Sequence, residues 1–598
     1  MAAAVLPGPA ADRPLRGSFN SDRQQVAIGT CLILLTGLAP SLLGNSYWEH
    51  AFQLVNIYIA VAVLQNLLFV DAGQKSFGQG AILGLGAYGL AIASGLNGMP
   101  LAAGLLAGVL AAAAGGLLFA MPALRVQGFH LGFVTMSAAI VFPQLLNQLD
   151  WFTRGLNGIS MTIPALQTRP FAGISWLTLL VTAVPVVALL AHYALRQAPL
   201  GRRMRIAAES PEAARSLGIR PGIMRSLAFV LASVGTGICG LLYVPAVGFI
   251  SPQGFIIELS FVFFFAVVVG GRGQLLGPIV GIWIVFILPT VFLVKLVEYK
   301  PLVYGLMTLA VVILFPDGVV GTFETWRRRR RQGGGGERGF RLEAVTRLFS
   351  ALPDVPSADV GAAPVLTVRG ATKRFGQVVA LDGVDFDVRP GEIHGLVGAN
   401  GSGKTSLLNV ISGLSRLDAG RYQLRGRDMT RLAAAAIAEQ GLGRTFQTPR
   451  VFQSYSVWNN LQMGLDARPA APDPALAAAL AALRDDHAED SPSLLSHGQR
   501  RILEVVRVVL KDPSIVLFDE PAAGLSSVER EEFAALVRQL ARKLGKAVVL
   551  VEHDLDLVWG IADRITVLET GRVVASGAPA DLARDPAVQH LFVGGAHA

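Results

Sequence analysis

The sequence predicts an α-helical polytopic membrane domain of about ten spans followed by an α/β phosphate-loop domain. Three observations carry that reading. Hydrophobic residues make up 52% of the chain and charged residues only 16%, more apolar than a soluble protein sustains. Apolar runs of bilayer-crossing length recur between residues 26 and 320. Beyond residue 364 short Val- and Ile-rich strands alternate with helical segments around a glycine-rich loop. At 598 residues the chain exceeds one core and accommodates two large domains. The expected division is a tail over 1–24, a membrane domain over 25–325, a linker over 326–364 and an α/β domain over 365–598.

The tail is rich in small residues and proline, contains Arg13, Arg16 and Arg23, and precedes a full-length apolar stretch without a clear cleavage site. It reads as a cytoplasmic segment before a retained first span. Spans are expected near 26–44, 48–70, 77–97, 100–122, 129–148, 172–195, 225–246, 256–270, 275–295 and 301–320, with the eighth the shortest. The net charge of +9 sits mainly in segments between apolar runs, such as Arg196 to Arg225 and Arg327 to Arg331. That is the positive-inside pattern rather than a nucleic-acid-binding patch. An even number of spans puts the C-terminal half on the side where the chain begins, the cytoplasm. Cys31 and Cys239 lie far apart in apolar runs and suggest neither a disulfide nor a metal site. Over 326–364 the arginine run gives way to Gly333–Gly336 and then to Pro and Ala. This is linker composition, with arginines suited to anionic lipid headgroups or to stopping transfer.

The strongest chemical motif is Gly398-Ala-Asn400-Gly401-Ser402-Gly403-Lys404-Thr405, between the strand-like Ile393–Val397 and a helix-like segment. Glycines let backbone N–H groups approach a phosphate, the helix N-terminus favours negative charge, Lys404 adds a cation and Thr405 a hydroxyl for Mg²⁺. Downstream, the apolar run Ser514–Phe518 ends in Asp519-Glu520. A buried strand delivering two carboxylates beside such a loop suits Asp519 to hold Mg²⁺ and Glu520 to accept a proton from attacking water.

With these motifs, residues 365–598 resemble the ATP-binding cassette family. The resemblance extends to Gln447 in Arg444-Thr-Phe-Gln447, the signature Leu495-Ser496-His497-Gly498-Gln499, and His553 in Val549-Leu-Val-Glu-His553-Asp554. It implies that ATP and Mg²⁺ are bound, that Gln447 contacts Mg²⁺ and water while sensing the permease, and that His553 contacts the γ-phosphate. It further implies that Ser496, His497, Gly498 and Gln499 cap the ATP of a second, head-to-tail subunit, and that Phe375 stacks on adenine. Two departures stand out: His497 replaces a glycine, and Ser526 falls where Asp or Asn is usual, both placed to tune the contact between subunits. The segment between Gln447 and the signature is short and Ala-rich around Pro474–Leu483.

Most of residues 45–320 resemble the membrane subunit of bacterial branched-chain amino-acid importers. The carrying segments are Gly73–Gly80 leading to Gly84-Leu-Gly-Ala-Tyr88, Thr153–Gly158, Pro199–Arg205 leading to Glu212–Gly218, and Gly248–Pro252. Pro521-Ala-Ala-Gly-Leu525 resembles the ATP subunit of the same importers. The resemblance implies that the loop containing Arg205, Glu212 and Gly218 forms a coupling helix resting on the ATPase near Gln447. Gly80 and Gly84, four apart, suit close helix packing. Gln65, Asn66, Gln144 and Asn147 either line a solute path or bond between helices, and no intramembrane carboxylate stands out for proton coupling.

The implied function is a half-transporter that couples ATP hydrolysis to uptake of hydrophobic amino acids. It would sit in the bacterial inner membrane with its ATPase in the cytoplasm. Its expected partners are a second permease and ATPase half, a solute-binding protein and membrane lipid, with no nucleic acid. A urea or short-amide importer of the same family is the nearest alternative, and an exporter a more distant one.

Overall fold

The structure is a computed structural model that describes residues 19–125, 129–170, 173–292, 299–331, 363–469, short stretches between 476 and 484, 490–552 and 555–585. Most of the N-terminal tail, the core of the linker and His553 lie outside the described residues. The chain divides into two compact units. One comprises residues 1–209 and 221–335, the other 210–220 and 336–598.

The first unit is helical. Eight helices among the described residues are long and apolar enough to cross a membrane: Asp22–Leu42, Ser46–Asp71, Gln79–Leu96, Leu101–Leu124, His130–Gln148, Trp176–Gln197, Pro221–Val247 and Pro252–Gly270. The eighth gains its length from a 3-10 turn at Pro252–Phe255 that precedes Ile257–Gly270. The last two of the ten expected spans fall beside residues 293–298, which lie outside the described residues. Gly277–Ile282 runs into π-helical Trp283–Phe292, which contains Pro289, and the final apolar helix is Lys300–Leu314, 15 residues long. Pro289 has no N–H to donate and disturbs the regular α-helical ladder.

Glycine decides how these helices meet. A Cβ on Gly86 would stand 2.4 Å from the Gly237 carbonyl oxygen, and one on Gly240 would stand 2.3 Å from that of Leu83. Helices Gln79–Leu90 and Pro221–Val247 therefore touch backbone to backbone, the contact small residues permit in a membrane. Gly80 and Gly84 act in the same way: a Cβ would meet Ser260 Oγ at 2.6 Å and the Phe142 ring at 2.5 Å. Polar side chains tie the bundle across helices. Gln53 donates to Thr178 at 2.9 Å, Gln65 to the Ser76 carbonyl at 2.8 Å, and Asn66 to the Gln274 carbonyl at 3.1 Å. Gln65 and Asn66 are buried, and their bonds hold the non-helical segments around Ser76 and Gln274 against helix Ser46–Asn66. Gln144 is exposed and Asn147 half-buried.

Buried carboxylates escaped the sequence reading. Asp71, in the π-helical turn Leu67–Asp71, is bonded by His192 and by Arg196 at 3.0 Å. Glu49 accepts from Thr178 at 2.8 Å and pairs with Arg169 at 3.0 Å. Each has a partner that offsets the cost of taking its charge out of water.

The second unit is built on a six-stranded sheet in the order Arg572–Gly577, Arg564–Glu569, Ile393–Val397, Ala547–Val551, Ile515–Asp519, Leu442–Arg444. All neighbours are parallel except the first pair. Ile393–Val397, Ile515–Asp519 and Ala547–Val551 are buried along their whole length, as near-continuous apolar runs must be when both faces are covered. A second, antiparallel sheet orders Val378–Val388, Leu366–Phe375, Ala419–Leu424 and Arg427–Asp428. Registers Leu396 with Val551 and Val551 with Asp519 bring the C-terminal ends of the three central strands together. Ligands of open α/β sheets bind at such ends.

Candidate functional site: the phosphate loop and its carboxylates

The loop Gly398–Gly403 leaves strand Ile393–Val397 and enters helix Lys404–Ile411. Gly398, Gly401 and Gly403 have φ of +152°, +83° and +107°, which favours glycine. At two of them there is no room for a side chain either: a Cβ on Gly398 would lie 2.1 Å from the Leu568 carbonyl oxygen, and one on Gly403 2.5 Å from that of Ala380. The Lys404 ammonium donates to the carbonyls of Gly398 at 2.6 Å and Ala399 at 2.9 Å, which keeps it over the loop. Burial lowers its pKa while Glu520 and Asp519 pull the other way. Ser402 Oγ is buried and, among the described residues, has no hydrogen-bond partner. A glycine-rich cradle, a cation and a buried hydroxyl fit a phosphate chain. Asn400 and Thr405 are exposed beside it.

Strand Ile515–Asp519 presents its two carboxylates at the same level. Asp519 is buried and accepts a 3.1 Å hydrogen bond from Arg444, which also donates to Ser412 Oγ at 2.5 Å. Burial pushes the Asp519 carboxyl up, and the Arg444 guanidinium draws it back down. Glu520 follows with φ of +48°, outside ordinary L-residue space. Strain of this kind persists only where the surroundings hold it, here through the Glu520 N–H to Val551 carbonyl bond at 2.9 Å. Gln447 donates to the Glu520 carboxylate at 2.8 Å. The structure thus brings Lys404, Asp519, Glu520 and Gln447 to one place. Thr405, Asp519 and Gln447 offer a hydroxyl, a carboxylate and an amide oxygen, the hard donors that Mg²⁺ takes.

Phe375 is 52% exposed, at the tip of the hairpin it forms with Val378, and the Lys373 ammonium stands 5.3 Å from its ring centroid. It is not a core residue. The same hairpin passes beneath the phosphate loop at Ala380, next to Gly403, so an open aromatic face is available near the cradle.

The signature opens helix His497–Leu510. Ser496 is its N-cap: Ser496 Oγ accepts from the Gln499 N–H at 3.2 Å, and the Ser496 N–H donates to Gln499 Oε1 at 3.0 Å. This capping box leaves the Ser496 hydroxyl proton available at an exposed helix N-terminus. Gly498 is buried, and a Cβ there would stand 2.9 Å from Glu529. His497 is exposed and lies against Gly524. Ser526 has a local explanation: it N-caps helix Ser527–Arg542 in a second capping box with Glu529.

Sequence reasoning missed the side chains that hold this site in place. Arg501, fully buried on the signature helix, donates to the carbonyls of Phe446 and Gln447, reaches that of Glu520 at 3.4 Å, and pairs with Glu504 at 3.2 Å. Glu504 accepts from the Arg450 N–H at 2.9 Å, and Arg507 donates to the Arg450 carbonyl at 2.5 Å. The backbone from Phe446 to Arg450 is therefore pinned to that helix. The only sequence signal was basic and acidic residues at positions 501, 504 and 507 of an otherwise apolar helix face.

Residues Ser210–Arg220 are part of this unit. Helix Pro211–Ser216, N-capped by Ser210, packs on helix Ala434–Glu439. Glu212 pairs with Arg450 at 3.0 Å. Gly218, with φ of +84°, sits against Glu439. Arg205 belongs elsewhere: it lies in helix Pro199–Glu209 of the first unit, bonded to the Arg196 carbonyl at 3.1 Å and 3.9 Å from Asp71.

Comparison with known proteins follows the same division. A family model described as the permease component of the branched-chain amino acid transport system matches residues 49–312, and one described as ABC transporter matches 381–523. The high-affinity branched-chain amino acid transport ATP-binding protein LivG of Salmonella typhimurium is 35% identical over 250 residues, covering 39% of this chain and 98% of LivG. BraF of Pseudomonas aeruginosa, described in the same words, is 33% identical over 250 residues with the same coverage. Among solved structures, a nucleotide-free ATP-binding cassette from an ABC transporter is 28% identical with a TM-score of 0.35, covering 38% of this chain and 99% of its own. Identity at that level over nearly the whole of LivG, beside the permease match, establishes that the chain belongs to the ATP-binding cassette transporter family, with a branched-chain amino acid transport permease component and an ATPase in one polypeptide.

Proposed function

We propose that the chain is half of an ATP-driven importer of branched-chain and similar hydrophobic amino acids, lying in the bacterial inner membrane with its ATPase unit in the cytoplasm. The observation that carries this reading is that permease and ATPase independently match the same transport system within one chain. A solute-binding protein would deliver the amino acid. A second half, another copy or a related permease and ATPase, would complete both the path and the ATP sites. That need follows from one phosphate loop and one signature per chain, since the exposed Ser496 cap is built to meet a phosphate supplied from outside its own loop.

In this reading the glycine cradle and Lys404 hold the β- and γ-phosphates, Phe375 stacks on adenine, and Thr405, Asp519 and Gln447 hold Mg²⁺. The metal, when bound, neutralises charge on the transferring phosphate. Glu520 takes the proton of the attacking water, and the Gln447 amide fixes which way its carboxylate faces. Ser496, with His497, Gly498 and Gln499, caps the γ-phosphate of the opposite half, and His553 serves the same phosphate within its own half. The loop helix with Glu212 and Gly218 carries the state of this site to the permease.

Uptake tests the reading. Vesicles containing the full chain, its partner half and internal ATP, supplied with solute-binding protein, should accumulate leucine. Accumulation of urea or a short amide in its place would move the substrate assignment, and ATP-dependent efflux would overturn import.

A further inference from the structure

The signature helix has a second functional end. Its N-cap is Ser496 and its C-cap is Lys511, 14 helical residues apart, a rigid rod of about 21 Å at 1.5 Å per residue. Lys511 is 5% exposed. Its ammonium donates to three carbonyls: Ala438 at 2.5 Å, Ser216 at 3.0 Å and Leu442 at 3.4 Å. Ser216 is the last residue of the loop helix Pro211–Ser216, and Ala438 lies in the last turn of helix Ala434–Glu439. One cation thus closes the C-terminal ends of two short helices, where carbonyl dipoles favour positive charge, and a lysine has three N–H donors for three acceptors.

We infer that Lys511 is a positioning residue that clamps the loop helix Pro211–Ser216 to the far end of the signature helix, so that movement of the loop is delivered to Ser496. The inference rests on the coupling role proposed above for that loop. The Glu212 to Arg450 pair is exposed on both sides and contributes little by itself. The buried, charge-assisted contacts of Lys511 are the stronger attachment.

The charge on the clamp is sensitive to pH. Burial lowers the Lys511 pKa to about 7, with Glu439 opposing. The other charged groups nearby are engaged: Asp512 pairs with Lys546 at 2.6 Å and Arg468 at 3.4 Å, and Glu212 with Arg450 at 3.0 Å, while Arg215 stands on the loop helix itself. Below that pKa three N–H groups meet three carbonyls. Above it the amine keeps two and turns a lone pair toward an oxygen. The clamp therefore weakens as pH rises.

The test uses the full chain with its partner half in nanodiscs and in vesicles, comparing wild type, Lys511→Met and Lys511→Arg. Amide hydrogen exchange over residues 210–220, corrected for intrinsic rate, is read at pH 6 and pH 8.5. We expect the wild type to exchange faster at the higher pH, the methionine variant to exchange roughly tenfold faster at pH 6, and the arginine variant to stay protected at both. Equal protection in wild type and the methionine variant, or the same pH response in wild type and the arginine variant, would overturn the clamp. The second comparison stands even where the methionine variant fails to fold. Leucine taken up per ATP should fall with pH in wild type and stay level in the arginine variant, and a parallel fall in both also overturns the clamp. Absence of leucine uptake by wild type with the exchange pattern intact would sink the import reading and leave the clamp standing.

Discussion

Arg444 and Asp519 form a buried ion pair at 3.1 Å, with both side chains almost fully removed from solvent. The guanidinium fixes the orientation of the carboxylate proposed to hold Mg²⁺ and opposes the upward push that burial gives its pKa. Removing one member of a buried pair strands the other, at about 3–5 kcal/mol. Arg444→Met should therefore lower thermal stability and abolish most ATP hydrolysis. The double variant Arg444→Met, Asp519→Asn should recover stability and not activity, which calorimetry beside a phosphate-release assay will separate.

Glu520→Gln keeps the shape of the site and removes its base. ATP binding, read with a fluorescent analogue, should persist while hydrolysis falls by about 10²–10⁴-fold. Unchanged turnover would remove Glu520 from the role of base.

His394 sets an acid limit on the ATPase unit. Its Nδ1 lies 3.0 Å from the Asp387 carbonyl oxygen and its Nε2 2.8 Å from the Thr566 hydroxyl. The carbonyl can only accept, so the proton sits on Nδ1, and Nε2 accepts from Thr566. Burial, aided by the positive charge of Arg564, lowers the pKa from 6.5 to about 3. The unfolded chain takes up this proton first, so the contribution to stability is complete above pH 6.5 and is lost as pH falls toward 3. The slope approaches about 1.4 kcal/mol per pH unit within that window. Irreversible loss of ATPase activity, measured from pH 7 to pH 4, should steepen accordingly, and His394→Asn should flatten the curve.

In the membrane unit, Gly240→Ala forces a Cβ to within 2.3 Å of the Leu83 carbonyl oxygen, whereas at Gly254 the nearest atom to a Cβ is the Tyr243 hydroxyl at 3.6 Å. The first substitution should separate two helices and abolish a detergent-stable fold; the second should be tolerated. Size-exclusion profiles of the two variants decide between them.

Much of this was legible beforehand because the chemistry needs particular residues at fixed spacing. The phosphate loop, Asp519-Glu520 and the signature each write a local constraint into consecutive positions. Arg444, Arg501 and Lys511 were not legible, because their partners are backbone carbonyls and a carboxylate far away in sequence, and no local pattern records them. Nor does apolarity record helix type: the run at 275–295 reads as one span, and within it the structure turns from α- to π-helical at Trp283, ahead of Pro289. Ser526 stood out in the sequence only as a departure from Asp or Asn, and the structure adds that it N-caps its own helix in a capping box with Glu529.

Because Ser210–Arg220 counts with the C-terminal unit, the polypeptide passes between the units three times, after 209, after 220 and after 335. Two of those passages survive a cut in the linker. Proteolysis between residues 332 and 362 should then yield two fragments that copurify. On that view the fusion acts chiefly as an assembly guarantee, delivering one ATPase to every permease as it is synthesised, while an eleven-residue excursion of the membrane half is built into the ATPase unit.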